Sequence, residues 1–153
     1  VWIGGRSDAA LRRTGRLGEG WLPSAITPQE CREGIEAIQV YASKSQRTIE
    51  DDHYGVSIIC AIADTNEAAL DLIAPTLVRR REDVGLESYT ALGTPETIQE
   101  TLNGYVEAGI TKFVLRPAGP PGVWEAQAER LAKEVITPMQ TPWTEKELVD
   151  RPL

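Results

Sequence analysis

Val56 to Ala63 spells VSIICAIA, an almost unbroken apolar run with Ser57 as its polar member. A strand with one wet face alternates apolar and polar residues. A near-continuous apolar strand needs cover on both faces, as in a parallel sheet sheathed by helices. That one segment argues for an α/β fold.

The flanking pattern agrees. Val1-Trp2-Ile3-Gly4-Gly5-Arg6-Ser7 reads as a strand end, a glycine turn and a helix start, with Ser7 as N-cap and Asp8 at the positive end of the helix. That helix is expected to run to about Thr14, and Gly15, Gly18 and Gly20 to break it. Trp21-Leu22-Pro23-Ser24 follows as a short strand. Thr27-Pro28-Gln29-Glu30 has the capping-box spacing, with proline at the first helical position. Cys31, Ile35, Ile38 and Ala42 then recur at helical spacing. Asp64 to Glu67 suggests another box with Asp64 as cap, and Pro75 kinks or breaks its helix. Val84 to Gly93 reads as loop. Thr94-Pro95 starts a helix with Ile98, Leu102, Tyr105 and Val106 on one face, ended by Gly109. Lys112 to Arg116 is a strand, and Val123 to Ile136 a helix with Trp124, Ala128, Leu131 and Val135 on one side. Residues 137–153 hold three prolines and many polar residues, and read as a surface tail.

Helices alternating with four strands imply parallel strands and right-handed crossovers. Two architectures fit: an open doubly wound sheet and a (β/α) barrel. The three-glycine dinucleotide fingerprint is absent, which weakens the first. At 153 residues, 41% hydrophobic and 25% charged, the chain suits one globular domain. Its net charge of −7 argues against nucleic acid as a partner, and no apolar run approaches the ~20 residues of a membrane span. Cys31 and Cys60 form no CxxC and have no histidine cluster. They read as free thiols in a reducing, cytoplasmic compartment, with no metal site.

Three segments together resemble the luciferase-like monooxygenase superfamily, which includes oxidoreductases using flavin or the deazaflavin coenzyme F420. The first is Val1 to Ser7 with Gly15-Arg16-Leu17-Gly18-Glu19-Gly20-Trp21, where Glu19 stands in place of the family's usual aspartate. The second is Leu92-Gly93-Thr94-Pro95-Glu96. The third is Tyr105 to Pro117, YVEAGITKFVLRP. Their order and spacing fit strands five to eight of a TIM-type (β/α)8 barrel. The resemblance therefore implies a C-terminal half-barrel over residues 1–136, with strands one to four absent. It implies a parent oxidoreductase that transfers a hydride between coenzyme F420 and a small organic substrate, the fragment alone being inactive. The alternatives are an FMN-dependent monooxygenase and a non-catalytic half-barrel that forms a homodimer.

Gly4, Gly5, Arg6 and Ser7 are the candidate cofactor-binding residues. Glycines admit a phosphate close to the backbone, N–H groups at a helix start receive it, and Arg6 and Ser7 add donors. The same residues also make a tight strand–helix turn with Ser7 as a simple cap. Spacing leaves both open, and the resemblance favours phosphate contact. Ser24 and Arg116, at strand ends on the same barrel mouth, are the candidate substrate-binding residues. A turn role and a surface ion pair are their respective alternatives. Trp21 reads as core. Arg79-Arg80-Arg81 reads as a solvated helix end. His53, the only histidine, precedes a strand and so falls at the face opposite the chemistry. No catalytic residue is assigned.

Overall fold

A computed structural model describes residues 1–76 and 81–140. Five strands alternate with helices in chain order: β1 (Trp2–Ile3), α1 (Asp8–Leu17), β2 (Gly20–Trp21), α2 (Pro28–Lys44), β3 (Gly55–Ile62), α3 (Asn66–Ile73), β4 (Thr90–Gly93), α4 (Pro95–Glu107), β5 (Lys112–Pro117) and α5 (Trp124–Arg130). A π-helical stretch, Leu131–Ile136, and a short helix, α6 (Thr137–Met139), continue α5.

Every pairing is parallel. Trp2 and Ile3 of β1 face Gly20 and Trp21 of β2. Single bridges, Trp21 to Tyr54 and Ser24 to Ser57, join the β2 segment to β3. On its other side β3 pairs with β5, from Gly55 opposite Lys112 to Cys60 opposite Pro117. The β1, β2, β3 and β5 segments therefore lie side by side in chain order. These four follow one another in one direction, as in an arc of barrel; β4 departs from that order, lying across β3 from β5.

β4 pairs with the C-terminal half of β3, Ile59 to Ile62. It falls within the segment read above as loop. Thr-Ala-Leu-Gly is too short to show periodicity, and only pairing with β3 makes it a strand. At α3 the Ala68 N–H donates to Thr65 Oγ1, so Thr65 and not the expected Asp64 is the cap. The helix stops at Ile73, ahead of Pro75.

The VSIICAIA strand is buried along most of its length. Tyr54, Val56, Ile58, Cys60 and Ile62 meet Cys31, Ile35 and Ile38 of α2 and Ile98, Leu102 and Tyr105 of α4 in the main core. Both cysteines are buried and free, and burial pushes each thiol up to about 12. α1 and α2 touch at Gly15, where a Cβ would lie 2.6 Å from Tyr41 Cβ and 2.7 Å from the Ile38 carbonyl oxygen. The last helix turns Gln127, Leu131 and Val135 inward and leaves Trp124 exposed. Beyond the β5 pairing, Gln127 serves as a surrogate strand: its amide both accepts from the Ile62 N–H and donates to the Ile62 carbonyl, each at 2.8 Å.

Candidate functional site

Parallel pairing sets the C-terminal ends of β1, the β2 segment and β5 at one end of the sheet, hereafter the mouth. This brings Gly4–Ser7, Ser24 and Arg116 to the same end. His53 lies at the opposite end, its Nδ1 2.7 Å from the Glu19 carbonyl and its ring beside Trp2.

The glycine turn is held from below. Gly5 has φ +93°, a conformation glycine adopts freely, and a Cβ there would come within 3.1 Å of Ala10 Cβ. Its carbonyl accepts a 2.8 Å hydrogen bond from the Trp21 indole N–H, so the buried Trp21 both fills the core and fixes the turn. Ser7 caps α1, accepting at Oγ from the Ala10 N–H at 3.3 Å. Asp8 would place a negative charge at the helix start. Its carboxylate is engaged by Arg12 and by the Tyr41 hydroxyl, and both hold it below the ordinary aspartate range, Tyr41 most strongly. The remaining first-turn N–H groups of a helix have no intrahelical acceptor and keep their capacity for an anion.

Ser24 is exposed and precedes Ala25, whose φ of +50° is unusual for a residue other than glycine. Arg116 is exposed opposite Ile59, and among the described residues no carboxylate pairs with it. Arg6 is half-exposed and lies 3.9 Å from Glu30. A small cavity of about 250 Å³ opens beside it, floored by Leu11, Trp21 and Ile26. The apolar groove of about 380 Å³ between α4, β5 and the end of the last helix lies on the helix-covered side of the sheet, away from Ser24 and Arg116.

The basic run requires a correction. Arg79 and Arg80 lie outside the described residues. Arg81 is no solvated helix end: its side chain is only 6% exposed and grips Glu30 with two 2.7 Å bonds. Fifty-one positions separate the partners, and nothing local in an arginine run points to such a contact. Glu30 also completes the expected capping box, accepting from the Thr27 N–H at 2.8 Å.

A parallel sheet backed by helices, with β1, β2, β3 and β5 side by side and a glycine turn at one end, has the architecture of an α/β barrel. The chain belongs to the luciferase-like monooxygenase family, whose model matches residues 1–82. Among solved structures it is similar to an F420-dependent secondary alcohol dehydrogenase in complex with an F420-acetone adduct, with a TM-score of 0.73 at 15% identity over 92% of this chain and 48% of that one. The coenzyme F420 dependent tetrahydromethanopterin reductase of Methanopyrus kandleri gives a TM-score of 0.70 at 15% identity, over 91% and 50% of the two chains. The oxygenating constituent of 3,6-diketocamphane monooxygenase from Pseudomonas putida, in complex with FMN, gives 0.67 at 18% identity, over 93% and 49%. The chain thus spans about half the length of these structures. No curated protein matches it in sequence.

Proposed function

We propose that residues 1–136 form the C-terminal half of a luciferase-like barrel and carry the phosphate-holding part of its cofactor site. The whole enzyme is then an oxidoreductase acting on a small organic molecule, with coenzyme F420 as the preferred cofactor and FMN as the alternative. The observation that carries this reading is the glycine turn clamped by Trp21. Gly4 has room in front of it, where an added Cβ would meet only the Leu22 carbonyl oxygen, at 3.4 Å. Gly5 is held at positive φ, and the N-terminus of α1 stands behind the turn.

These features fit a phosphate monoester or diester. Backbone N–H groups and Ser7 donate, Arg6 supplies charge, and Asp8 is neutralised sideways by Arg12. The bound (deaza)flavin would supply the hydride chemistry; the protein binds, orients and shields it. Ser24 and Arg116 face the same mouth, as a hydroxyl and a cation able to orient an oxygenated or acidic substrate. The preference for F420 rests on the oxidoreductase-like run from Val1 to Ser24, and on the F420 relatives among the similar folds.

Fluorescence titration of the chain with coenzyme F420 and with FMN tests the reading. The expected result is saturable binding, stronger for F420, that Gly5→Val abolishes while circular dichroism stays native. Saturable FMN binding with no F420 binding overturns the cofactor choice. Saturable binding unaffected by Gly5→Val overturns the phosphate turn.

A further inference from the structure

Arg81 carries a side chain that is almost wholly buried at the mouth. A guanidinium has five N–H donors, and all five are used. Nε donates to Asp83 Oδ1 at 2.9 Å. Nη1 donates to the Ala25 carbonyl at 3.0 Å and to Glu30 Oε2 at 2.7 Å. Nη2 donates to Glu30 Oε1 at 2.7 Å and to Asp83 Oδ2. The Tyr89 ring lies 5.9 Å from the guanidinium carbon, and its hydroxyl accepts the Arg81 backbone N–H at 3.1 Å. No donor remains for a bound anion, so the group acts on the protein itself.

What it holds is specific. Ala25 sits in the left-handed region, which an alanine enters only at an energetic cost, directly after Ser24. Glu30, gripped by the same fork, receives the Thr27 N–H and stands 3.9 Å from Arg6. One buried cation therefore ties three mouth segments together: the glycine turn through Glu30, the Ser24–Thr27 loop through two contacts, and its own segment through Asp83 and Tyr89.

We infer that Arg81 is a positioning residue that locks the Ser24–Thr27 loop and, through Glu30, the side chain of Arg6, in the arrangement the mouth uses to receive its ligand. This rests on the cofactor site proposed above. A purely structural ion pair would contribute stability and leave ligand affinity alone; a positioning residue changes both loop order and affinity.

Arg81→Lys and Arg81→Met separate these roles. Lysine keeps the charge but cannot form the planar fork. Amide hydrogen exchange is read at Thr27, whose N–H is held by Glu30, and F420 and FMN affinities are read by fluorescence. Loss of one charge-assisted bond predicts about tenfold faster Thr27 exchange and about tenfold weaker cofactor binding in Arg81→Lys, and more in Arg81→Met. Unchanged Thr27 exchange in a folded Arg81→Lys overturns the lock. Faster exchange with unchanged affinity reduces Arg81 to a structural role and overturns the positioning. A wild-type chain that binds neither cofactor sinks the proposed function instead, and the exchange arm still decides the lock. Should Arg81→Met fail to fold, Glu30→Gln removes the charge and keeps an acceptor for Thr27, with the same outcomes expected.

Discussion

At the scale of single residues, the mouth is organised by charge that is neutralised internally. The bonds from Arg81 hold the Glu30 carboxyl below its ordinary value of 4.5, against the opposing effect of burial. The same guanidinium holds Asp83 at about 2. Both carboxyls are more acidic in the folded chain than in the unfolded one. Their contribution to stability is therefore complete above the ordinary carboxyl range and fades as pH falls through the depressed folded values. Arg81→Met should lower the melting temperature clearly at pH 7, and the gap to the wild type should narrow steadily below about pH 4 as the unfolded carboxylates take up protons. Melting curves from pH 2 to 7 check this. A gap that stays constant through that range would show that Arg81 acts by packing, with no contribution from its carboxylate partners.

At the scale of elements, what could be read in the sequence was whatever is encoded locally. The Thr27–Glu30 capping box and the Thr94-Pro95 helix start are each written within four residues, and both form as expected. The apolar run of β3 announces its burial, which is two-sided at Ala61, where α3 covers the second face. What escaped depends on distant partners. β4 exists only because β3 pairs with it. Gln127 looks like a surface residue of an amphipathic helix, yet it is buried because the Ile62 backbone needs a partner past the end of β5. Among the site residues, the glycine turn was visible as a motif, whereas the Trp21 bond beneath it and the Arg81 fork beside it were not. Gly15 belongs to the same class. Its sequence context reads as a helix end, but α1 continues through it to Leu17, and the glycine is there to let α2 approach. Its neighbours across the interface include the Ile38 carbonyl and the Ala42 nitrogen at 2.7 and 2.8 Å from a built Cβ, and backbone atoms cannot swing aside. Gly15→Ala should therefore destabilise the chain by ~1–3 kcal/mol through overpacking, despite alanine's better helix propensity. Urea denaturation measures it, and a neutral or stabilising result would mean the two helices are free to separate.

At the scale of the whole molecule, one face of the sheet lies on the main helical core, while the other is covered only in part, where Ala69 and Ile73 of α3 pack on Ala61. Alternate residues of β3 and its neighbours point into the helical core, while the other face carries Trp2 at 38% exposure, Val114 at 46% and the exposed Arg116. Among the described residues β1 pairs only with β2, and β5 only with β3, so two sheet edges also present unpaired backbone groups. In a closed barrel that face is the interior and neither edge exists. The similar solved structures are about twice as long. A partly exposed face carrying Trp2 and Val114, flanked by two open parallel edges, favours association, because each copy can pair its β5 edge with the β1 edge of another. Size exclusion with light scattering should show a mass above the monomer that grows with concentration. Val114→Lys places a charge in the middle of the exposed face, on an edge strand, and should shift the distribution toward monomer without lowering the melting temperature. A wild-type chain that stays monomeric at high micromolar concentration would mean that this face is tolerated in water as it stands.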